Sequence, residues 1–363
     1  VNTIDAVTEI RDLPEPPQVY VVCTGAGAGL QKLLWDVPGC SKFLVGAAFP
    51  YAAEDTADFL GFEPERACTE TTAIQLAMEA YSRAWKPGNK RTIGVGMTAV
   101  VGTTREHKGD HRVYIATVSE DKCTLLYAVL NKSKSTGRED EGETCDLLGL
   151  NALRNALGLP LVPITQEIFD WYELSDPIDI RDVFFLRPFT NLSHRRASEY
   201  AHFPGAFNPP HEGHFGIAEQ IEEEHRRPVL FSIEAEPPHK PALTVPEMLQ
   251  RAKMLKGHSV IFTRGQPLYE DKIASGVKHI VIGADALLRL MTWDNKTPEE
   301  NLAPFVEERV RFYVVGREIP DRGYTTMRDL LNDETLSLNS DFLFYPVKGR
   351  WDISSTDVRE GRA

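Results

Sequence analysis

From Tyr200 onward the apolar residues switch between two periods, and this alternation constrains the fold more than any other feature of the chain. Tyr200 to Phe203, Val229 to Ile233, His279 to Ile282, Phe312 to Val315 and Phe342 to Tyr345 are short apolar runs of strand length. Between them, Gly213 to Glu224, Val245 to Lys256 and Ala286 to Met291 carry apolar residues at helical spacing. Strands that alternate with helices predict a parallel, doubly wound sheet, because parallel neighbours need a crossover rather than a tight turn. Such a sheet takes its ligands at the carboxyl ends of the strands.

The chain has 363 residues, which predicts two domains. In the first half, Gln18 to Cys23, Phe43 to Phe49, Arg91 to Val95, Arg112 to Val118 and Thr124 to Leu130 read as strands. Glu70 to Trp85 and Glu139 to Leu157 read as helices, so this half is also α/β. All five cysteines precede residue 146 and eight of the ten histidines follow residue 190, a contrast that points to separate origins. Pro160, Pro163, Pro177 and Pro188 punctuate a stretch of weak periodicity. The expected division is therefore a first domain over 1–158, a joint or extended arm over 159–195, and a second domain over 196–363.

The formal charge of −13 argues against general binding of nucleic acid, whose phosphates are held by basic surfaces. Apolar runs such as Phe43 to Pro50 are broken by Gly and Pro and are far too short to span a bilayer, so no membrane insertion is expected. The first residues, with Asp5, Glu9, Arg11 and Asp12, show no secretory signal. Cys23, Cys40, Cys68, Cys123 and Cys145 are odd in number and contain no CxxC pair, which suggests neither a disulfide framework nor a zinc site. They read as reduced thiols in a cytoplasmic protein.

The run Gly205-Ala206-Phe207-Asn208-Pro209-Pro210-His211-Glu212-Gly213-His214 lies between an apolar strand and an amphipathic helix. A helix N-terminus offers unpaired N–H groups and partial positive charge, both suited to phosphate oxygens. Two histidines at that end add donors for charge that develops during phosphoryl transfer, and Gly213 allows close approach. The plainer reading is a loop with two surface histidines. A second run, Ile353-Ser354-Ser355-Thr356-Asp357-Val358-Arg359, again opens a helix. Alone, its hydroxyls read first as an N-cap.

Taken together, the two runs resemble the nucleotidyltransferase superfamily marked by HxGH and ISSTxxR, with both signatures complete. Pro237-Pro238-His239-Lys240, Arg251-Ala252-Lys253-Met254-Leu255, Gly283-Ala284-Asp285 followed by Trp293, and Val314-Val315-Gly316-Arg317 stand between them. In that order they look like the landmarks of bacterial nicotinate mononucleotide adenylyltransferases. The resemblance implies that Trp293 stacks on the pyridine ring, that Gly283 and Asp285 lie beside the nucleotide, and that Ser354, Ser355, Thr356 and Arg359 hold ATP phosphates. It places Gly205, Phe207 and Asn208 at the nucleotide as well, with Lys240 and Arg317 as phosphate ligands. His214 is the first choice for stabilising the transferring phosphate, with His211 orienting it. The implied partners are ATP, accompanied by Mg²⁺, and nicotinate or nicotinamide mononucleotide. Other HxGH transferases, with cytidylyl or pantetheine substrates, and a scaffold that keeps both folds without catalysis are the rival readings. The family continues past its second signature with a full helix, whereas this sequence ends at Ala363, so a helix of about one turn is expected there.

In the first half, Val21-Val22-Cys23-Thr24-Gly25-Ala26-Gly27-Ala28-Gly29-Leu30 forms a Gly-rich turn that lacks GxGxxG spacing. With Val37 to Phe43, Gly46 to Tyr51, Thr69 to Ala80, Gly96 to Gly102 and His111 to Thr117, it resembles the C-terminal domain family of competence-induced protein CinA, which includes nicotinamide mononucleotide deamidases. That family's SCTGG motif is altered here: Val22 stands for the serine, Ala26 for the second glycine, and no lysine follows Tyr51 closely. An amidase needs a nucleophile and a base. The expectation is a degenerate domain that binds, orients or assembles subunits, with backbone donors of the turn still open to phosphate. Cys23 reads as a buried structural thiol, and His107 and His111, separated by Gly109 in a polar turn, read as surface residues.

Overall fold

The computed structural model describes residues 2–86, 88–89, 91–104, 108–164, 169–179, 197–237, 241–255, 257–263, 268–274, 276–336, 343–351 and 355–361. The chain divides into two compact units, Val1–Arg187 with Thr244–Gln250, and Pro188–Leu243 with Arg251–Ala363. Among the described residues no helix is long and apolar enough to cross a membrane.

The first unit is built on a seven-stranded mixed sheet, β1 (Gln18–Thr24), β2 (Leu44–Ala48), β3 (Thr92–Val100), β4 (His111–Val118), β5 (Lys122–Leu130), β6 (Phe169–Leu174) and β7 (Ile178–Asp179). The order is β2-β1-β3-β4-β5-β6, with β7 also beside β5. β1 is parallel to β2 and β3, and the later pairings are antiparallel. One face packs Val19, Val21, Ile93, Val95 and Met97 against Ile10, Leu30, Leu34, Leu148 and Leu153 from the helices Thr3–Arg11, Ala28–Trp35 and Arg138–Ala156. The other face receives the helix Glu70–Ala84 at very short range. A Cβ on Gly94 would fall 2.0 Å from the Ala77 carbonyl, and one on Gly96 would fall 2.3 Å from that of Ala73. Small residues on both elements permit that approach. The stretch expected to be a joint contains β6 and β7, so the first sheet continues past residue 158. The Trp171 ring meets Tyr127 edge-on at 5.3 Å, an aromatic cross-strand contact that the weak periodicity of the stretch concealed.

The second unit carries a six-stranded sheet, β8 (Ala201–Pro204), β9 (Val229–Glu234), β10 (Ser259–Thr263), β11 (His279–Gly283), β12 (Arg311–Val315) and β15 (Phe344–Val347). Their order is β10-β9-β8-β11-β12-β15 and every pairing is parallel. A short hairpin of β13 (Arg317–Ile319) and β14 (Gly323–Thr325) follows β12. In chain order within the unit the strands run 3-2-1-4-5-6, the doubly wound arrangement expected from the sequence, and the order reverses between β8 and β11. Ile280, Ile282, Phe312 and Val314 pack against Leu287 and Phe305 from the helices Ala284–Met291 and Pro298–Glu307.

Candidate functional site

The carboxyl end of β8 lies at that reversal, where a doubly wound sheet opens a crevice. Gly205 donates its N–H to the Ser232 carbonyl at 3.1 Å, and a Cβ there would meet the Phe207 ring at 2.7 Å. Phe207 has φ of 44° and its side chain is buried, packed against Phe203, Phe231 and His214. It therefore forms the floor of the loop, with its ring turned into the core. Donors from two other helices fix the loop carbonyls. Arg251 donates to Ala206 at 3.0 Å, Ser355 Oγ to Pro209 at 2.8 Å, and Arg359 to Asn208.

His211 is the N-cap of the helix Glu212–His225, and His214 stands in its first turn. The His211 backbone N–H donates to His214 Nδ1 at 3.2 Å, and the two rings lie with centroids 3.8 Å apart. Burial lowers the His214 pKa to about 3, helped by the neighbouring His211 and Arg317. His214 is thus neutral near pH 7. Because Nδ1 accepts a hydrogen bond, its single proton sits on Nε2, which makes that atom a fixed donor.

Gly283 caps the helix that follows β11, and a Cβ there would fall 2.5 Å from Asp285 Oδ1 and 3.4 Å from Arg317 Nε. Gly283, Asp285 and Arg317 thus meet at one place. Arg317 also donates to the Trp351 carbonyl at 3.0 Å, and Asp285 pairs with Arg289 at 3.4 Å. Trp293 is 57% exposed and lines a shallow pocket with Leu268, Tyr269, Ala286, Arg289 and Leu290. Lys240 and Ser354 lie outside the described residues, and Thr356 falls in the five-residue helix Ser355–Arg359. The residues assigned no role from sequence are Arg251, quoted only as part of a landmark, and Trp351. A Cβ on Gly216 would fall 2.2 Å from the Trp351 ring. The signal for that contact was the pair Gly213 and Gly216, which leaves one helix face bare.

The Gly-rich turn of the first unit has different chemistry. Gly25 and Gly27 adopt φ of 80° and 88°, and a Cβ on Gly25 would fall 2.0 Å from the Ala99 carbonyl. Val22 is buried, and burial, with the Asp146 charge adding to it, pushes the Cys23 thiol far above its ordinary range. The expected opening to phosphate, at Thr24, Gly25 and the backbone donors of the turn, is narrowed at the helix Ala28–Trp35. Asp146 Oδ1 accepts from the Leu30 N–H at 3.0 Å, so an internal carboxylate already occupies that helix end. Burial raises its pKa to about 6 despite backbone hydrogen bonds from Leu30 and Gly29. His111 is a second correction. It is buried, with Nδ1 2.7 Å from Glu141 Oε1, while the Gly102 N–H donates to Glu141 Oε2 at 2.6 Å. The helix Arg138–Ala156 covers the first residue of β4, which the polar turn before it did not reveal. His107 lies outside the described residues.

Residues 202–361 match the family described as Cytidylyltransferase-like, and the second unit is accordingly a cytidylyltransferase-like domain of the HxGH nucleotidyltransferase superfamily. The N-terminal part is similar to solved CinA proteins. A competence or damage-inducible protein from Enterobacter asburiae is 17% identical, with 43% of this chain and 96% of that one covered at a TM-score of 0.35. The competence/damage inducible protein CihA from Agrobacterium tumefaciens is 18% identical, with 44% and 96% covered at 0.35. A competence-damaged protein (CinA) superfamily protein from Escherichia coli is 15% identical, with 43% and 89% covered at 0.32. No curated protein matches the chain.

Proposed function

We propose that the second unit joins a pyridine mononucleotide to the AMP half of Mg²⁺–ATP. The observation that carries this reading is His214, held neutral with Nε2–H as a donor, at a helix N-terminus in the crevice of a doubly wound sheet. An oxygen of the acceptor's 5′-phosphate attacks the α-phosphorus of ATP. The bond from that phosphorus to the oxygen bridging to the β-phosphate breaks, and pyrophosphate leaves with the electron pair. No covalent enzyme intermediate is needed, so positioning and charge stabilisation do most of the work. His214 donates to the non-bridging oxygens as negative charge builds, and Arg317 supplies positive charge beside it. Ser355 and Arg359, now bonded to loop carbonyls, turn to the phosphates when ATP enters. The exposed ring of Trp293, with Leu268, Tyr269, Ala286 and Leu290 beside it in a pocket that Glu270 and Arg289 also line, supports a flat aromatic acceptor. In the first unit, which has Val22 in place of a nucleophile, no deamidation takes place and the fold serves a structural purpose. Incubating the full chain with ATP or CTP and a panel of phosphorylated acceptors, with pyrophosphate as readout, tests this. Turnover with ATP and a pyridine mononucleotide is expected, and turnover confined to CTP or to a pantetheine acceptor would replace the reading.

A further inference from the structure

We propose that Trp351 is a positioning residue of the transfer site, whose ring seats the first turns of the helix that carries both histidines. A Cβ on Gly216 would lie 2.2 Å from Cη2, 2.7 Å from Cζ3 and 2.9 Å from Cζ2 of the Trp351 ring, so the indole rests on bare helix backbone. Gly213 lies three residues earlier, on the same face. A Cβ there would fall 3.6 Å from Trp351 Cβ and 3.1 Å from His211 Nδ1. The tryptophan and the His211 ring therefore flank the same glycine.

The same residue reaches the other charged group of the site through its backbone, because its carbonyl accepts from Arg317 Nη1 at 3.0 Å. The stretch before it is anchored separately. Tyr324 OH donates to the Gly349 carbonyl at 3.1 Å, and the Arg350 guanidinium lies 4.6 Å from the Tyr324 ring centroid. Trp351 is thus a fixed point rather than a loose end, and it ties Arg317 to the histidine helix. Its Nε1 is buried and has no hydrogen-bond partner among the described residues. A buried N–H left without a partner is costly, so the site uses the ring's flat face and not its donor. Phenylalanine should then serve almost as well, and an aliphatic residue should not. Removing the ring frees the helix turn that sets His211 and His214, and a misplacement of about 1 Å in such a site costs roughly 100-fold in rate.

The kinetic part of the test rests on the transfer reading, and the spectroscopic part does not. In the full chain, Trp351→Ala should lower kcat for pyrophosphate release roughly 10- to 100-fold with KM for ATP little changed, whereas Trp351→Phe should restore most of it. Gly216→Ala should imitate Trp351→Ala by displacing the ring, yet add no further loss in the double variant. Imidazole NMR should show the His211 and His214 signals moved in Trp351→Ala, with His214 titrating closer to the ordinary histidine range, and both restored in Trp351→Phe. If Trp351→Ala does not fold, Trp351→Leu keeps bulk, loses the flat face and takes its place. Unmoved imidazole signals, or additive losses in the double variant, overturn the proposal. A wild-type chain that releases no pyrophosphate with any acceptor overturns the transfer reading instead, and the imidazole spectra still decide the role of Trp351.

Discussion

Lowering the pH from about 7 to about 4.5 is expected to remove on the order of 5 kcal/mol from the stability of the second unit. Two strongly depressed histidines supply most of that dependence, and His225, lowered chiefly by burial, adds to it in the same direction. Burial lowers His214 to about 3 and His279 to about 4 from the ordinary 6.5, the latter with the charges of Arg227 and Arg311 and of His202 and His225 adding to the effect. An imidazole depressed in the fold binds its proton more weakly there than in the unfolded chain. Its stabilising effect is therefore complete above 6.5, is lost progressively as the pH falls below that, and is fully gone once the pH has passed the folded value, about 4 for His279 and about 3 for His214. At pH 4.5 each of these two has lost about 2.5 kcal/mol, taking about 1.4 kcal/mol per pH unit between the unfolded and folded values. Hydrogen exchange read by mass spectrometry over β8, β9 and β11 isolates this unit from Asp146, whose raised value changes the first unit in the opposite sense. His214→Gln should abolish roughly half of the pH dependence. Protection that stays level from pH 7 to 4.5, or a variant as pH-sensitive as the parent, refutes the assignment of a buried neutral His214.

Gly29→Ala should destabilise the first unit by about 1–3 kcal/mol in urea melts, because the new Cβ would fall 2.0 Å from Asp146 Oδ2. Asp146→Ala should relieve most of that loss, and a full loss in the double variant would mean another clash. Trp293→Ala should weaken the pyridine mononucleotide by roughly tenfold in calorimetry while ATP is little affected, since stacking involves the acceptor ring alone. Equal weakening of both would make Trp293 structural. Incubation of the full chain with nicotinamide mononucleotide should release no ammonia, and measurable release abolished by Cys23→Ser would restore a nucleophile to the first unit.

Both sheets were legible in the sequence where the apolar period was strong. β1 to β5 and β8, β9, β11, β12 and β15 fall within a few residues of the expected runs, and the parallel pairing of the second sheet follows from its alternation, whereas its strand order does not. β10 was missed although Gly257 precedes it and Gly265 and Pro267 follow it in the sequence, because Ser259–Thr263 carries only three apolar residues, Val260 to Phe262. The helix Pro298–Glu307 was missed although Thr297, Pro298 and Glu300 spell out a capping box, since Pro304 breaks the apolar pattern. At the site, the motifs placed His211 and His214 at a helix start, but motif reading assigns side chains to ligands by default. It could not show that Phe207 is buried, or that Ser355 and Arg359 hold loop carbonyls across more than a hundred residues of sequence. The Asp146 cap was equally hidden, because the acid lies 116 residues from the amide it receives.

Pyrophosphate release by the parent chain and by His214→Ala, measured side by side with Mg²⁺–ATP and a pyridine mononucleotide, tests the central claim most directly. The Nε2–H donor of His214, fixed by the hydrogen bond at Nδ1, predicts turnover in the parent and a fall of roughly 10²–10³-fold in the variant, with the fold retained in hydrogen exchange. A variant that releases pyrophosphate at the parent's rate would contradict the account and remove His214 from the chemistry.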